Sequence, residues 1–147
     1  MRLEPTVVAV AQINPKLGDL KHNLSLHKDK AIQAAELGAE LVVFPELSLT
    51  GYLLKDLTQD VAQNPEHSEF IDELKELSKR VALMVGFVEE GDDYIFYNSA
   101  GYFEDGELRH IPRKVYLPTY GMFDEERYFS PGSTFKAFET KFGRAGI

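Results

Sequence analysis

The chain reads as an α/β protein, and three observations carry that reading. A β-branched apolar run, Thr6 to Gln12, is followed by a helix signal and then by a second apolar run, Leu41 to Phe44. Strand, helix, strand in that order is a βαβ unit with a parallel strand pair. From Ala82 to Ile111 apolar runs instead alternate with Gly-Asp and Asp-Gly turns, the pattern of an antiparallel meander. With 44% apolar residues, 10 Phe and 7 Tyr among 147, the chain has material for a core and is one domain, or part of one.

Thr6 to Gln12 is apolar on both faces, as a buried strand requires. Pro15 and Gly18 end it, Asp19 is the N-cap of a helix running to about Leu37, and Gly38 is its stop. Leu41 to Phe44 is a short second strand. Leu47 to Pro65 is long and mixed, with a tight turn at Gly51 and a short helix over 56–63. A second helix begins near Ser68, where Phe70, Ile71, Leu74, Leu77, Ser78 and Val81 recur at three- and four-residue steps. Strands over 82–88 and 94–103 are parted by a turn at 91–93, and Asp105-Gly106 turns tightly into 108–111. Tyr116 to Pro131 has no regular period but is rich in Tyr, Phe, Pro and acids, so it is expected to pack over a site or against a partner. Thr134 to Phe138 and Arg144 to Ile147 flank a turn near 141–143.

A net charge of −8 argues against nucleic acid or an anionic membrane as partner. No apolar run has the length of a membrane span, and Met1 to Pro5 lacks a signal-peptide pattern, so the cytoplasm is the expected location. The sequence has no cysteine, which excludes disulfides and thiolate metal sites. His22, His27, His67 and His110 are scattered without ligand spacing, and no metal is expected.

Two charges sit in apolar frames. Glu46 follows Val43-Phe44-Pro45 at the end of a strand, where α/β folds present side chains to a ligand crevice. A surface salt bridge is the ordinary fate of a glutamate; burial here would instead suit it to general-base work. Lys114 lies between Ile111-Pro112 and Val115-Tyr116-Leu117-Pro118. Arg113-Lys114 could be a solvated basic pair, but the frame points one cation inward, with Glu46 as its anionic partner. Asp124-Glu125-Glu126 sits among Met122, Phe123, Tyr128 and Phe129, so at least one carboxylate is expected to turn inward. Glu46 and Glu125 as a glycosidase pair is an alternative that leaves Lys114 without a task. Ser48, Thr50, Thr119 and Ser130 show neither a nucleophile elbow nor a paired histidine, and no glycine-rich phosphate loop is present.

Three ordered stretches resemble the carbon–nitrogen hydrolase (nitrilase) superfamily. They are Phe44-Pro45-Glu46-Leu47-Ser48-Leu49-Thr50-Gly51-Tyr52, Arg113-Lys114-Val115-Tyr116-Leu117-Pro118, and Phe123-Asp124-Glu125-Glu126-Arg127-Tyr128-Phe129-Ser130-Pro131-Gly132. The resemblance runs from about Thr6 to Ile147. It implies an α-β-β-α sandwich of the nitrilase type, with residues 1–147 as the N-terminal part of the domain. It also implies Glu46 as general base, Lys114 as the cation facing the tetrahedral intermediate, and Glu125 as a second glutamate positioning Lys114 and substrate. Tyr52, Tyr120 and Phe123 would contact the substrate.

In that family the nucleophile is a cysteine a few residues beyond a strand like the one begun by Gly143 to Ile147. None is present, so the chain alone is expected to be inactive. Family members have roughly twice this length, so the chain is also expected to expose an apolar sheet face and to self-associate or be poorly stable. The tract 114–132 is especially similar to the glutaminase domain of glutamine-dependent NAD synthetase. The resemblance therefore leaves three readings open: a free-standing amidase or nitrilase acting on a small amide, a glutaminase domain acting on glutamine, and a non-catalytic remnant on the same scaffold. Cofactors are expected to be none, with ATP and an NAD precursor entering only if a synthetase domain follows. A homodimer or higher homo-oligomer is the expected assembly.

Overall fold

The computed structural model describes residues 5–147. Strand β1 (Val8–Val10), helix α1 (Leu20–Glu36) and strand β2 (Leu41–Val43) form the expected βαβ unit, with Val8 opposite Leu41 in a parallel pair. Helices α2 (Thr58–Val61) and α3 (Glu69–Ser78) lead to β3 (Ala82–Glu90), which is again parallel to β2. Strand β4 (Phe96–Glu104) returns antiparallel to β3, and β5 (Glu107–His110) antiparallel to β4. The sheet order is β1-β2-β3-β4-β5, and β6 (Phe138–Thr140) with β7 (Gly143–Ala145) makes a separate hairpin.

Local chemistry sets the element ends. The Asp19 side chain accepts from the His22 N–H and caps α1, and Gly38 leaves that helix at φ +89°. Ser68 caps α3 by accepting from the Ile71 N–H. Asp105 and Gly106 have φ of 52° and 86°, the paired positive values of a two-residue turn whose twist matches its strands.

Helices α1 and α3 cover one face of the sheet. Leu24, Ala31, Ala34, Ile71 and Leu74 pack there on Val42, Leu83, Val85, Phe87 and Phe103. On the other face Tyr102 meets Phe138 of the hairpin at 5.1 Å between ring centres. The buried Glu104 carboxylate accepts from the Tyr102 hydroxyl at 2.8 Å and from the Lys141 N–H at 3.0 Å, which pins the hairpin to the sheet.

Two expectations need correction. The strand expected over 6–12 is only three residues long and lies at the sheet edge, with Val10 81% exposed. Its apolar pattern reflects the sheet face that the helices do not cover. The loop 116–131 is covered only in part: Leu117 and Phe129 are buried against Leu47, Leu54 and Val88, and Glu125 is buried as well, while Tyr116, Tyr120 and Met122 stay exposed. Among the described residues, no helix is long and apolar enough to cross a membrane.

Candidate active site

Glu46 stands on a turn laid directly over β3. After β2 the Phe44 N–H bonds the Met84 carbonyl at 2.9 Å, and three residues past Glu46 the Leu49 N–H bonds the Gly86 carbonyl at 3.0 Å. A side chain at Gly86 would put its Cβ 2.3 Å from the Leu47 nitrogen and 2.8 Å from the Pro45 oxygen. Only glycine lets the turn sit so close. Leu47 takes φ +50° there and is fully buried.

The turn is anchored from below by His27. Its Nδ1 lies 2.6 Å from the Asn23 carbonyl, which can only accept, so Nδ1 carries the proton. Nε2 is then the acceptor for the Ser48 hydroxyl at 2.9 Å. Burial depresses the His27 pKa to about 4, against a smaller upward pull from the Asn23 carbonyl. Ser48 thus has the paired histidine that its sequence surroundings do not reveal. Both residues are fully buried, so the pair is an anchor and not an accessible nucleophile.

Lys114 stands on a segment that extends the sheet beside β4. The Ala100 N–H bonds the Pro112 carbonyl at 3.1 Å, the Lys114 N–H bonds the Asn98 carbonyl at 2.8 Å, and the Gly132 N–H closes on the Lys114 carbonyl at 2.8 Å. Both cations of the Arg113-Lys114 pair are engaged, with different partners. Arg113 donates from Nη2 to Glu89 Oε1 at 2.6 Å and from Nε to Oε2 at 3.0 Å, and lies 3.8 Å over the Tyr97 ring. Its pKa is held above the usual range, first by the Glu89 hydrogen bonds.

Lys114 joins two carboxylates. Its Nζ lies 2.7 Å from Glu46 Oε1 and 3.0 Å from Glu125 Oε1. Glu125 Oε2 is also 3.0 Å from Nζ, but outside hydrogen-bonding geometry, and has no other hydrogen-bond partner among the described residues. The Tyr52 hydroxyl donates to Glu125 Oε1 at 2.5 Å, and Asn98 Nδ2 to Glu46 Oε1 at 2.6 Å. Burial alone would lower the Lys114 pKa; hydrogen bonds and charge from Glu46 and Glu125 outweigh it and hold the ammonium above its ordinary value. The Tyr52 phenol is pushed well upward, by burial first and then by Glu125, and so stays a proton donor.

A cavity of about 430 Å³ opens beside this cluster, bounded by Glu46, Asn98, Lys114, Tyr116, Phe135 and Ile147 among others. The Glu125 side chain is 5% exposed and that of Lys114 30%. Glu46 is 46% exposed, not buried as expected, because its turn projects it off the sheet. Tyr52 and Phe123 meet edge-on at 6.4 Å beside Glu125, in a second cavity of about 110 Å³. Tyr120 reaches Phe123 at 5.7 Å but is itself exposed and lines neither cavity. Among the described residues, no group of three or more His, Asp or Glu is placed to hold a metal.

The carbon–nitrogen hydrolase family model matches residues 7–147. The chain belongs to that family. A glutamine-dependent NAD(+) synthetase of Thermotoga maritima is 38% identical to this carbon–nitrogen hydrolase chain over 127 residues, covering 85% of it and 22% of the synthetase. The structure of glutamine-dependent NAD+ synthetase from Acinetobacter baumannii superposes with a TM-score of 0.81 at 34% identity, over 95% of this chain and 26% of that one. A Saccharomyces cerevisiae member of branch 10 of the nitrilase superfamily superposes equally well, TM-score 0.81, at 27% identity over 95% of this chain and 53% of that one. The chain thus spans about a quarter of the synthetases and about half of the nitrilase-superfamily protein.

Three residues around this candidate site escape a reading of the sequence. Gly86 interrupts an apolar strand, the mark of a close backbone approach. Glu89 and Asn98 are buried polar residues on β3 and β4. Their identity hints at partners, but only the strand register shows which ones.

Proposed function

We propose that Glu46, Lys114 and Glu125 are the base, the oxyanion cation and the supporting acid of an amidase-type site that cleaves a carboxamide C–N bond. The observation that carries this reading is Lys114 Nζ held between Glu46 and Glu125 at 2.7 and 3.0 Å at the edge of an open cavity. A glycosidase pair would have to use two carboxylates already tied to one ammonium, so the same contact disfavours it.

The chemistry needs a thiol, which this sequence does not contain. Glu46 would take the thiol proton as sulfur attacks the amide carbon, and Lys114 would meet the developing oxyanion. Glu46 would then return the proton to the departing ammonia, and water would cleave the thioester. We assign glutamine as the substrate, supported by the 38% and 34% identity to glutamine-dependent NAD synthetases. The ammonia would then serve a separate synthetase unit that uses ATP. In this reading the 147-residue chain alone is inactive.

The test is ammonia release from glutamine, measured on the 147-residue chain and on a polypeptide that joins these residues to the thiol. Turnover is expected only from the second, and Lys114→Met should abolish it. Turnover by the 147-residue chain, or an unimpaired Lys114→Met variant, overturns the proposal.

A further inference from the structure

We infer that Asn98 is a positioning residue that selects which oxygen of Glu46 accepts the proton. This rests on Glu46 being the base and adds to that reading the atom that does the work. An ionised carboxylate offers about two acceptor positions on each oxygen. On Glu46 Oε1 both are taken, by Asn98 Nδ2 at 2.6 Å and Lys114 Nζ at 2.7 Å. Oε2 has no hydrogen bond among the described residues, and Glu46 lies on the wall of the 430 Å³ cavity. Oε2 is therefore the oxygen available to a reacting group.

Asn98 is well placed for this task. It is buried on β4, opposite Val88 of β3, so its backbone is held by the sheet. Its carbonyl accepts from the Lys114 N–H while its side chain donates to Glu46. One residue thus sets the positions of both the acid and the cation. Lys114 alone would leave the carboxylate free to rotate and to offer either oxygen. Two donors on one oxygen fix it.

Asn98→Leu keeps the approximate shape of the side chain and removes the donor. In the 147-residue chain, NMR titration of the Lys114 side chain reads the Glu46–Lys114 contact directly. The expected result is a Lys114 midpoint that falls in Asn98→Leu and does not fall further when Asn98→Leu is added to Glu46→Gln. A merely structural role for Asn98 would shift the melting temperature and leave that dependence on Glu46 absent. In the polypeptide that carries the thiol, kcat should fall ~10–100-fold with KM little changed, as expected when a reacting group is misplaced by about an ångström. Asn98→Ser, whose hydroxyl is too short to reach Glu46, should behave alike and serves if the leucine variant does not fold. If Glu46→Gln abolishes turnover while both Asn98 variants leave kcat and the Lys114 midpoint unchanged, the inference falls and the proposed function stands. If Glu46→Gln leaves turnover intact, both fall.

Discussion

Arg113 and Lys114 are neighbours in sequence, and each is paired to carboxylate, yet the two pairs are built to different ends. Arg113 meets Glu89 through three donor contacts, with the Ser99 hydroxyl adding another at 2.6 Å. Both Glu89 oxygens are engaged and its side chain is 5% exposed. Lys114 instead faces two carboxylates at the edge of a cavity, where Glu46 Oε2 and Glu125 Oε2 are left without donors among the described residues. A saturated, closed pair fixes backbone; an open pair with spare acceptors can take part in proton transfer. The first holds the segment that carries the second.

The same isosteric change therefore separates the two regions. Glu89→Gln removes the charge opposite Arg113 and turns an amide donor toward a guanidinium. Breaking a buried pair costs about 3–5 kcal/mol, and with Arg113 partly exposed the loss should fall near about 3 kcal/mol. For a chain of this length that is a drop of about 10 °C in melting temperature. A change below about 2 °C would show that the Arg113–Glu89 contact does not fix the segment carrying Lys114.

The division recurs on the opposite wall, where exposed Glu46 stands over buried His27 and Ser48. His27 is neutral in the fold down to about pH 4, whereas the unfolded chain protonates it below about 6.5. Between those values the unfolded state binds more protons, so this contribution is complete above pH 6.5 and is lost as the pH falls toward 4. At about 1.4 kcal/mol for each pH unit, roughly 2 kcal/mol should disappear between pH 7 and 5. His27→Gln cannot titrate, and denaturant melts of the two proteins should therefore diverge in their pH dependence by that amount. Parallel pH profiles would mean that His27 does not anchor the turn as a neutral acceptor.

Sequence made the open pair more legible than the closed one. Pro45-Glu46 and Pro112-Arg113-Lys114 stand out because a charge ending an apolar run is uncommon, and the helix caps Asp19 and Ser68 follow local rules that need no tertiary partner. Glu89, Asn98 and His27 act through residues between 10 and 52 positions away, and such pairings are set by strand register and helix packing. The exposure of Val10 and Tyr120 was illegible for a related reason. Apolar character says what a residue would gain from burial, not whether another element covers it.

The smallest stability effect should come from Glu46→Gln. Its side chain is 46% exposed, and the amide oxygen can still accept from Asn98 and Lys114. Lys114 keeps Glu125 as a charged partner, so the unfolding free energy should change by less than about 1 kcal/mol. The Lys114 pKa should nonetheless move down toward its ordinary value, since Glu46 is the first of the partners raising it. Glu89→Gln and Glu46→Gln then form a pair of isosteric changes, one read in the melt and the other in the ionisation of a neighbouring lysine. Equal losses of stability would erase the distinction between a locking pair and an open one, because Glu46 would then be holding the fold as Glu89 does.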